Sequence, residues 1–211
     1  MNTPKIAIID YKMCNLFSVE HACRFAGGNP EITSDVQIIN SSDAVILPGV
    51  GAFKDAMANI HQLKLDIALE SAIAKNKPIL GICLGFQLLF SSSEEFGKTE
   101  GLGILKGCVK RFPKEHEGNR LKVPQIGWNN IEICRDVPIL SGIRQGEYMY
   151  FVHSYYVAPA DDTLIVTTTN YNGFQYCSSV MAGTIFACQF HPEKSAREGV
   201  KIYNNWISSI S

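Results

Sequence analysis

The chain has 211 residues, 46% of them hydrophobic, which suits one domain and suffices to bury about 70% of the unfolded surface. Its 19 basic and 20 acidic residues nearly balance, and no basic stripe recurs along any helix, so nucleic acid is not an expected partner. No apolar run approaches the length of a membrane span and no charged-then-apolar leader opens the chain, so the expectation is a cytoplasmic protein with no membrane association.

Seven cysteines with irregular spacing argue against a disulfide framework. Cys14, Cys23, Cys108, Cys134, Cys177 and Cys188 mostly stand among apolar neighbours and read as reduced packing residues. No CxxC pair or close Cys/His cluster points to a metal, and no cofactor is expected.

In chain order, the residues after Met1 lead directly into residues 5–10 (KIAIID), a predicted buried strand. Asn15 stands where it would cap a helix bearing Leu16, Val19, Cys23 and Ala26 on one face and ending at Gly27-Gly28. The turn between, Tyr11 to Asn15, lacks the G-x-G-x-x-G spacing of a dinucleotide-binding turn. Residues 31–34 predict a second strand, Ser41-Ser42-Asp43 a turn, and residues 44–47 (AVIL) a third, buried strand. That strand runs into Pro48-Gly49-Val50-Gly51-Ala52-Phe53. Backbone N–H groups of such a loop, from Val50 or Gly51, would stand at the carboxyl edge of the sheet; a plain strand-to-helix connection is the alternative. Residues 65–75 predict a helix leading into the next strand. Strand and helix alternating in this way predict a doubly wound, mostly parallel α/β sheet with its site at the carboxyl edge.

The next strand carries the chemistry. Ile79, Leu80 and Ile82 follow Pro78, and an apolar segment from Phe86 to Phe90 reads as the start of a helix. Between them stands Gly81-x-Cys83-x-Gly85, the pattern of a sharp strand–nucleophile–helix turn, here with cysteine at the apex. Cys83 at a helix N-terminus would be favoured as thiolate, and the Leu84 N–H would point where an oxyanion forms. A buried core cysteine between packing glycines is the plainer alternative.

Past Ser91 the pattern turns to β structure. Residues 108–112 read as strand, residues 114–119 (KEHEGN) as a polar hairpin or loop, and Trp128 as a core residue or, if exposed, an interface residue. Residues 147–157, 164–169, 176–180 and 184–189 follow as strands. The span from about 100 to 190 is expected to be antiparallel or mixed β structure closing over one side of the parallel sheet, within a single domain covering residues 1–211. The last strand delivers His191-Pro192-Glu193 at its tip. Ser195-x-x-Glu198 predicts a capping box opening a final helix with Ala196, Val200, Tyr203, Trp206/Ile207 and Ile210 facing the core.

A thiol nucleophile needs a base, and the base needs a third group to hold its tautomer. Cys83, His191 and Glu193 supply these roles. His21 and His61 lie in helical stretches and His116 in a charged loop, which leaves His153 as the one rival base.

The segments GICLGFQLLF, PGVGAF and QFHPEKS resemble the class I, triad-type glutamine amidotransferases. KVPQIGWN and YFVHSYYV narrow the likeness to the glutaminase subunits of imidazole glycerol phosphate synthases, over about residues 5–207. The resemblance implies a flavodoxin-like sheet and hydrolysis of the L-glutamine side-chain amide through a thioester on Cys83. It further implies His191 as base, Glu193 orienting it, and an oxyanion hole from Leu84 with Val50 and Gly51. Gln87, Ser154 and Tyr155 match glutamine-holding positions. Asn15, Trp128 and Lys194 match the side facing a separate ammonia-accepting synthase subunit, a (β/α)₈ barrel, in a heterodimer whose partner supports full activity. Where the family usually reads DYGMGNLRSV, this chain carries Lys12, Cys14 and Phe17, departures that bear on the partner. A paralogous subunit feeding a sugar amidotransferase of surface-polysaccharide biosynthesis therefore stays open beside histidine biosynthesis. Readings of another class are a peptidase or γ-glutamyl hydrolase, and a scaffolding subunit without catalysis.

Overall fold

The structure, a computed structural model, describes residues 3–210. Strand β1 (Lys5–Ile9) sends Ile6 and Ile8 to one face and Ala7 and Ile9 to the other, and all four are buried. A strand apolar on both faces needs cover on both. Helix α1 (Leu16–Phe25), β2 (Asn29–Thr33), α2 (Val36–Ser41), β3 (Ala44–Leu47), α3 (Phe53–Gln62), α4 (Leu65–Ala74), β4 (Ile79–Ile82) and α5 (Leu84–Leu88) follow. Beyond α5 come β5 (Phe90–Ser93), β6 (Thr99–Glu100), β7 (Leu105–Arg111), β8 (Glu115–His116), β9 (Asn119–Arg120), β10 (Gln125–Asn130) and β11 (Glu132–Ile133). Then β12 (Tyr148–His153), β13 (Tyr155–Pro159), β14 (Ile165–Tyr171), β15 (Phe174–Ala182) and β16 (Ile185–Cys188) precede α6 (Ala196–Ser208).

The strands β2-β1-β3-β4-β16 form the parallel core of a 12-stranded sheet, which continues through β15, β13, β7, β5 and β6. The α/β, doubly wound expectation holds: α1 and α6 pack on one face with Ile6, Ile8, Ile46 and Leu80, and α2 to α5 on the other with Ala7, Ile9, Val45 and Leu47. The β-rich segment does not simply close over one side. Antiparallel pairing of β15 to β16 extends the sheet edge to edge, because an open edge offers unpaired N–H and C=O groups. The β10–β12 ribbon stands apart as a two-stranded sheet. Among the described residues, no helix is long and apolar enough to cross a membrane.

Several local expectations are corrected. The turn before β3 is confined to Ser42-Asp43, because Ser41 ends the unexpected helix α2, and α5 has only 5 residues because Phe90 already opens β5. Asn15 occupies the N-cap position of α1 without a side-chain cap bond. The capping box at α6 does not form: the Ser195 hydroxyl donates to the His191 carbonyl at 2.6 Å and accepts from the Tyr150 N–H at 3.0 Å. The core face of α6 is Gly199, Ile202, Tyr203, Trp206 and Ile207, with Ala196 exposed. A capping bond contributes about 1 kcal/mol, whereas each large apolar side chain buried contributes about 1.5–3 kcal/mol, so packing decides the rotation of this helix.

Candidate active site

Strand β4 ends at the carboxyl edge of the sheet, and Cys83 forms the apex of the turn into α5. Its backbone has φ 54° and ψ −107°, a left-handed strained geometry for a residue with a Cβ. The turn is held by the Cys83 N–H donating to the Cys188 carbonyl at 2.8 Å. It also requires Gly85, where a Cβ would lie 1.8 Å from the Leu47 carbonyl oxygen. The strain thus persists because two neighbouring strands over-determine it.

Strand β16 runs parallel beside β4, pairing Cys188 with Ile82, so the residues after it emerge next to Cys83. His191 and Glu193 follow, with Pro192 opening a single 3₁₀ turn. The His191 Nδ1 stands 2.7 Å from Glu193 Oε1, and the two side chains are 3% and 2% exposed. Burial disfavours the imidazolium, but the neighbouring Cys83 and Glu193 charges outweigh it and raise the His191 pKa. With Nδ1 on the carboxylate, Nε2 is buried without a hydrogen bond, and Cys83 acts on it mainly through charge. His191 is anchored from behind: its N–H donates to the Tyr150 carbonyl at 2.9 Å.

A cavity of about 280 Å³ opens over Cys83, lined among others by Val50, Gly51, Leu84, Gln87, Glu95, Ser154 and Tyr155. Gln87 Nε2 donates to the Tyr155 carbonyl at 3.1 Å and to Gln189 Oε1 at 2.9 Å. The rival base, His153, reaches the cavity wall but is committed elsewhere. Its Nδ1 lies 2.8 Å from the Tyr155 carbonyl and its Nε2 3.3 Å from the Tyr176 hydroxyl. Burial, with the charge of His191, lowers its pKa to about 4, so it is neutral at physiological pH. Glu95 is a lining residue that the sequence reading missed. Its carboxylate accepts the Phe53 N–H at the start of α3 at 2.6 Å, and no local spacing signals a contact across 42 residues.

The 48–53 loop lies beside Cys83, and two of the expected donors, Val50 in the loop and Leu84 across from it, are engaged. The Leu84 N–H donates to the Gly49 carbonyl at 3.3 Å, and the Val50 N–H to the Met13 carbonyl at 3.0 Å. Shielded N–H groups must find acceptors, and here protein carbonyls take them. Gly49 is packed so closely that a Cβ would meet the Tyr11 hydroxyl at 1.8 Å. Neither the Leu84 nor the Val50 N–H is therefore free to face the cavity in this conformation.

Outside the cavity, Lys194 Nζ sits 5.8 Å from the Tyr150 ring centroid, and Trp128 packs edge-on against the same ring at 6.1 Å. Trp128 is 53% exposed, with Ile126 and Tyr148 similarly open on the β10–β12 ribbon. Asn15 is exposed two residues past the Met13 carbonyl that holds Val50. Of the other cysteines, Cys23, Cys177 and Cys188 are buried as expected, while Cys134 is exposed.

A doubly wound sheet carrying a strained cysteine beside a buried His–Glu pair defines a triad-type thiol enzyme. Comparison with known proteins makes the assignment narrower. The model of the family "Glutamine amidotransferase class-I" matches residues 8–209, and the chain belongs to that family. It is 48% identical over 205 residues to the "Imidazole glycerol phosphate synthase subunit HisH" of Caldanaerobacter subterraneus subsp. tengcongensis, covering 97% of this chain and 98% of the relative. The protein of the same name from Methanosarcina mazei is 47% identical, over 96% and 98%. Among solved structures, the fold is similar to that of PurLQS from Thermotoga maritima, with TM-score 0.76, 19% identity and full coverage of both chains. The glutaminase domain of Trypanosoma brucei CTPS, solved with bound acivicin, has TM-score 0.70 at 18% identity, over 98% and 93% of the two chains.

Proposed function

We propose that this chain is a glutaminase subunit that releases ammonia from L-glutamine and passes it to a separate synthase subunit. The observation that carries this reading is the buried His191–Glu193 pair beside the strained Cys83, which lines a cavity of about 280 Å³. His191 Nε2 takes the Cys83 proton while Nδ1 stays on Glu193. The sulfur attacks the side-chain amide carbon, and the tetrahedral oxyanion collapses as the His191 imidazolium gives its proton to the departing nitrogen. Ammonia leaves and a thioester remains. Water, deprotonated by His191, opens the thioester to glutamate and free thiol. Gln87, Ser154 and Tyr155 hold the amino-acid end, and Glu95, the one carboxylate among the lining residues, suits its ammonium.

Oxyanion stabilisation at Leu84 requires the Gly49 carbonyl to leave and the Gly49–Val50 peptide to turn, releasing Val50 from Met13. Val50 or Gly51 then supplies the second donor. The partner is the natural source of that change: Asn15 is exposed two residues past Met13, whose carbonyl holds Val50, and Trp128 and Lys194 share the Tyr150 ring on the outside of the molecule. A barrel-shaped synthase forming a heterodimer with this single domain fits the reading, as does a cytoplasmic location and a lyase activity of the assembled complex. The HisH-named relatives favour a synthase of histidine biosynthesis over one acting on surface sugars.

The test is covalent. A chloroketone or diazoketone analogue of glutamine should label Cys83 stoichiometrically in the presence of the synthase subunit, and glutamine should protect. Absence of labelling with the synthase bound would overturn the reading.

A further inference from the structure

One group beside the sulfur has no task in the mechanism above. Gln189, two residues before His191, is fully buried at 0% exposure. Its carboxamide oxygen accepts from Gln87 Nε2 at 2.9 Å, and its Nε2 lies 3.7 Å from Cys83 Sγ. The first contact assigns the second. Gln87 presents a donor, so the Gln189 oxygen must face it and an N–H is left for the sulfur. Gln87 is itself locked by the Tyr155 carbonyl at 3.1 Å, which closes off the alternative orientation. Gln189 Nε2 thus stands as a neutral donor within hydrogen-bond reach of Cys83 Sγ.

We propose that Gln189 is a catalytic residue: its side-chain N–H donates to Cys83 Sγ, holds the sulfur in its attacking position and stabilises the negative charge that develops as His191 takes the proton. The proposal rests on the reading of Cys83 as the nucleophile. A neutral amide suits this place. It offers a preorganised donor to a buried anion without adding a charge that would compete with the Glu193–His191 pair. A lysine there would trap the thiolate, and a carboxylate would repel it. The same side chain also braces Gln87, so the substrate-holding wall and the nucleophile share one amide.

The pH dependence of Cys83 alkylation by iodoacetamide tests the proposal. This reagent is small and neutral and makes no use of the glutamine-holding wall. The Cys83 peptide is followed by mass spectrometry in wild type, Gln189→Met and Gln189→Leu. Both substitutions remove the donor while keeping bulk, and circular dichroism reports which of them folds, so either one suffices. The expected result is a rate–pH profile whose midpoint moves up by about one pH unit, the shift that follows from losing one hydrogen bond to a charged acceptor. The glutamine KM rises in any case, because Gln87 loses an acceptor, so KM does not decide. An unchanged alkylation profile in a folded variant overturns the proposal and leaves Gln189 as a brace, with the Cys83 reading intact. Wild-type Cys83 that reacts neither with iodoacetamide nor with the glutamine analogue would bring down the nucleophile reading and this proposal together.

Discussion

Cys83 sits in a torsional region that costs roughly 1–3 kcal/mol for a residue with a side chain. The gain is position: the sulfur is lifted off the sheet edge toward a base delivered by the neighbouring strand β16. Glu193 holds the base's other nitrogen, with its second oxygen buried and unpartnered. Glu193→Gln should preserve the fold yet lower kcat by about 10³–10⁴-fold, because an amide supports the wrong tautomer as readily as the right one; steady-state glutaminase kinetics measure this. Two histidines also set the stability–pH curve. The His153 pKa is about 4 when folded, below its ordinary 6.5. Between those values the unfolded chain binds a proton that the folded one refuses, so stability falls as pH drops from 6.5 to 4, by on the order of 3 kcal/mol. His191 is raised when folded. Its contribution is complete below 6.5 and lost as pH rises above it. Urea unfolding across this range should therefore show greatest stability near neutrality, and His153→Asn should flatten the acid limb.

At the scale of elements, the site depends on contacts between segments that are each short. Helix α5 has only 5 residues, too few to be stable alone, so its seat against β3 through Gly85 determines it. Gly85→Ala would drive a Cβ into the Leu47 carbonyl. It should destabilise the protein by about 1–3 kcal/mol in thermal unfolding and abolish turnover by displacing Cys83. Ser195 joins three elements, with one hydroxyl bonded to both the His191 carbonyl and the Tyr150 N–H. Ser195→Ala leaves that N–H without its acceptor, for an expected loss of about 1–2 kcal/mol. Since it loosens the base rather than the cavity wall, kcat should fall while the glutamine KM holds. Equal losses in both constants would contradict this anchoring.

At the scale of the whole molecule, the engaged Leu84 and Val50 N–H groups predict low glutaminase activity for the isolated chain and stimulation by the synthase subunit. The exposed face formed by Ile126, Trp128 and Tyr148, with Lys194 over Tyr150, is apolar and aromatic at its centre, the composition of an interface hot spot. Trp128→Ala should weaken the complex by about 2 kcal/mol or more, roughly thirtyfold in Kd by titration calorimetry. Phe17, 77% exposed at the start of α1, adds a further apolar side chain to the surface.

The nucleophile turn, the apolar runs of β1, β3 and β4, and the His-Pro-Glu tip were legible from residue types alone. Close turns need glycine, buried strands need unbroken apolar stretches, and both are local demands. Three features were not legible. Ser195 abandoned its capping box because a partner distant in sequence, Tyr150, claimed its hydroxyl. Glu95 joined the cavity wall through α3, and Gln189 met Cys83 across 106 positions. The amino-acid order by itself determined which groups can react. Which of those groups meet, and that the donors at Leu84 and Val50 are held shut, only the packed chain decided, because a hydrogen bond goes to whichever acceptor folding brings within reach.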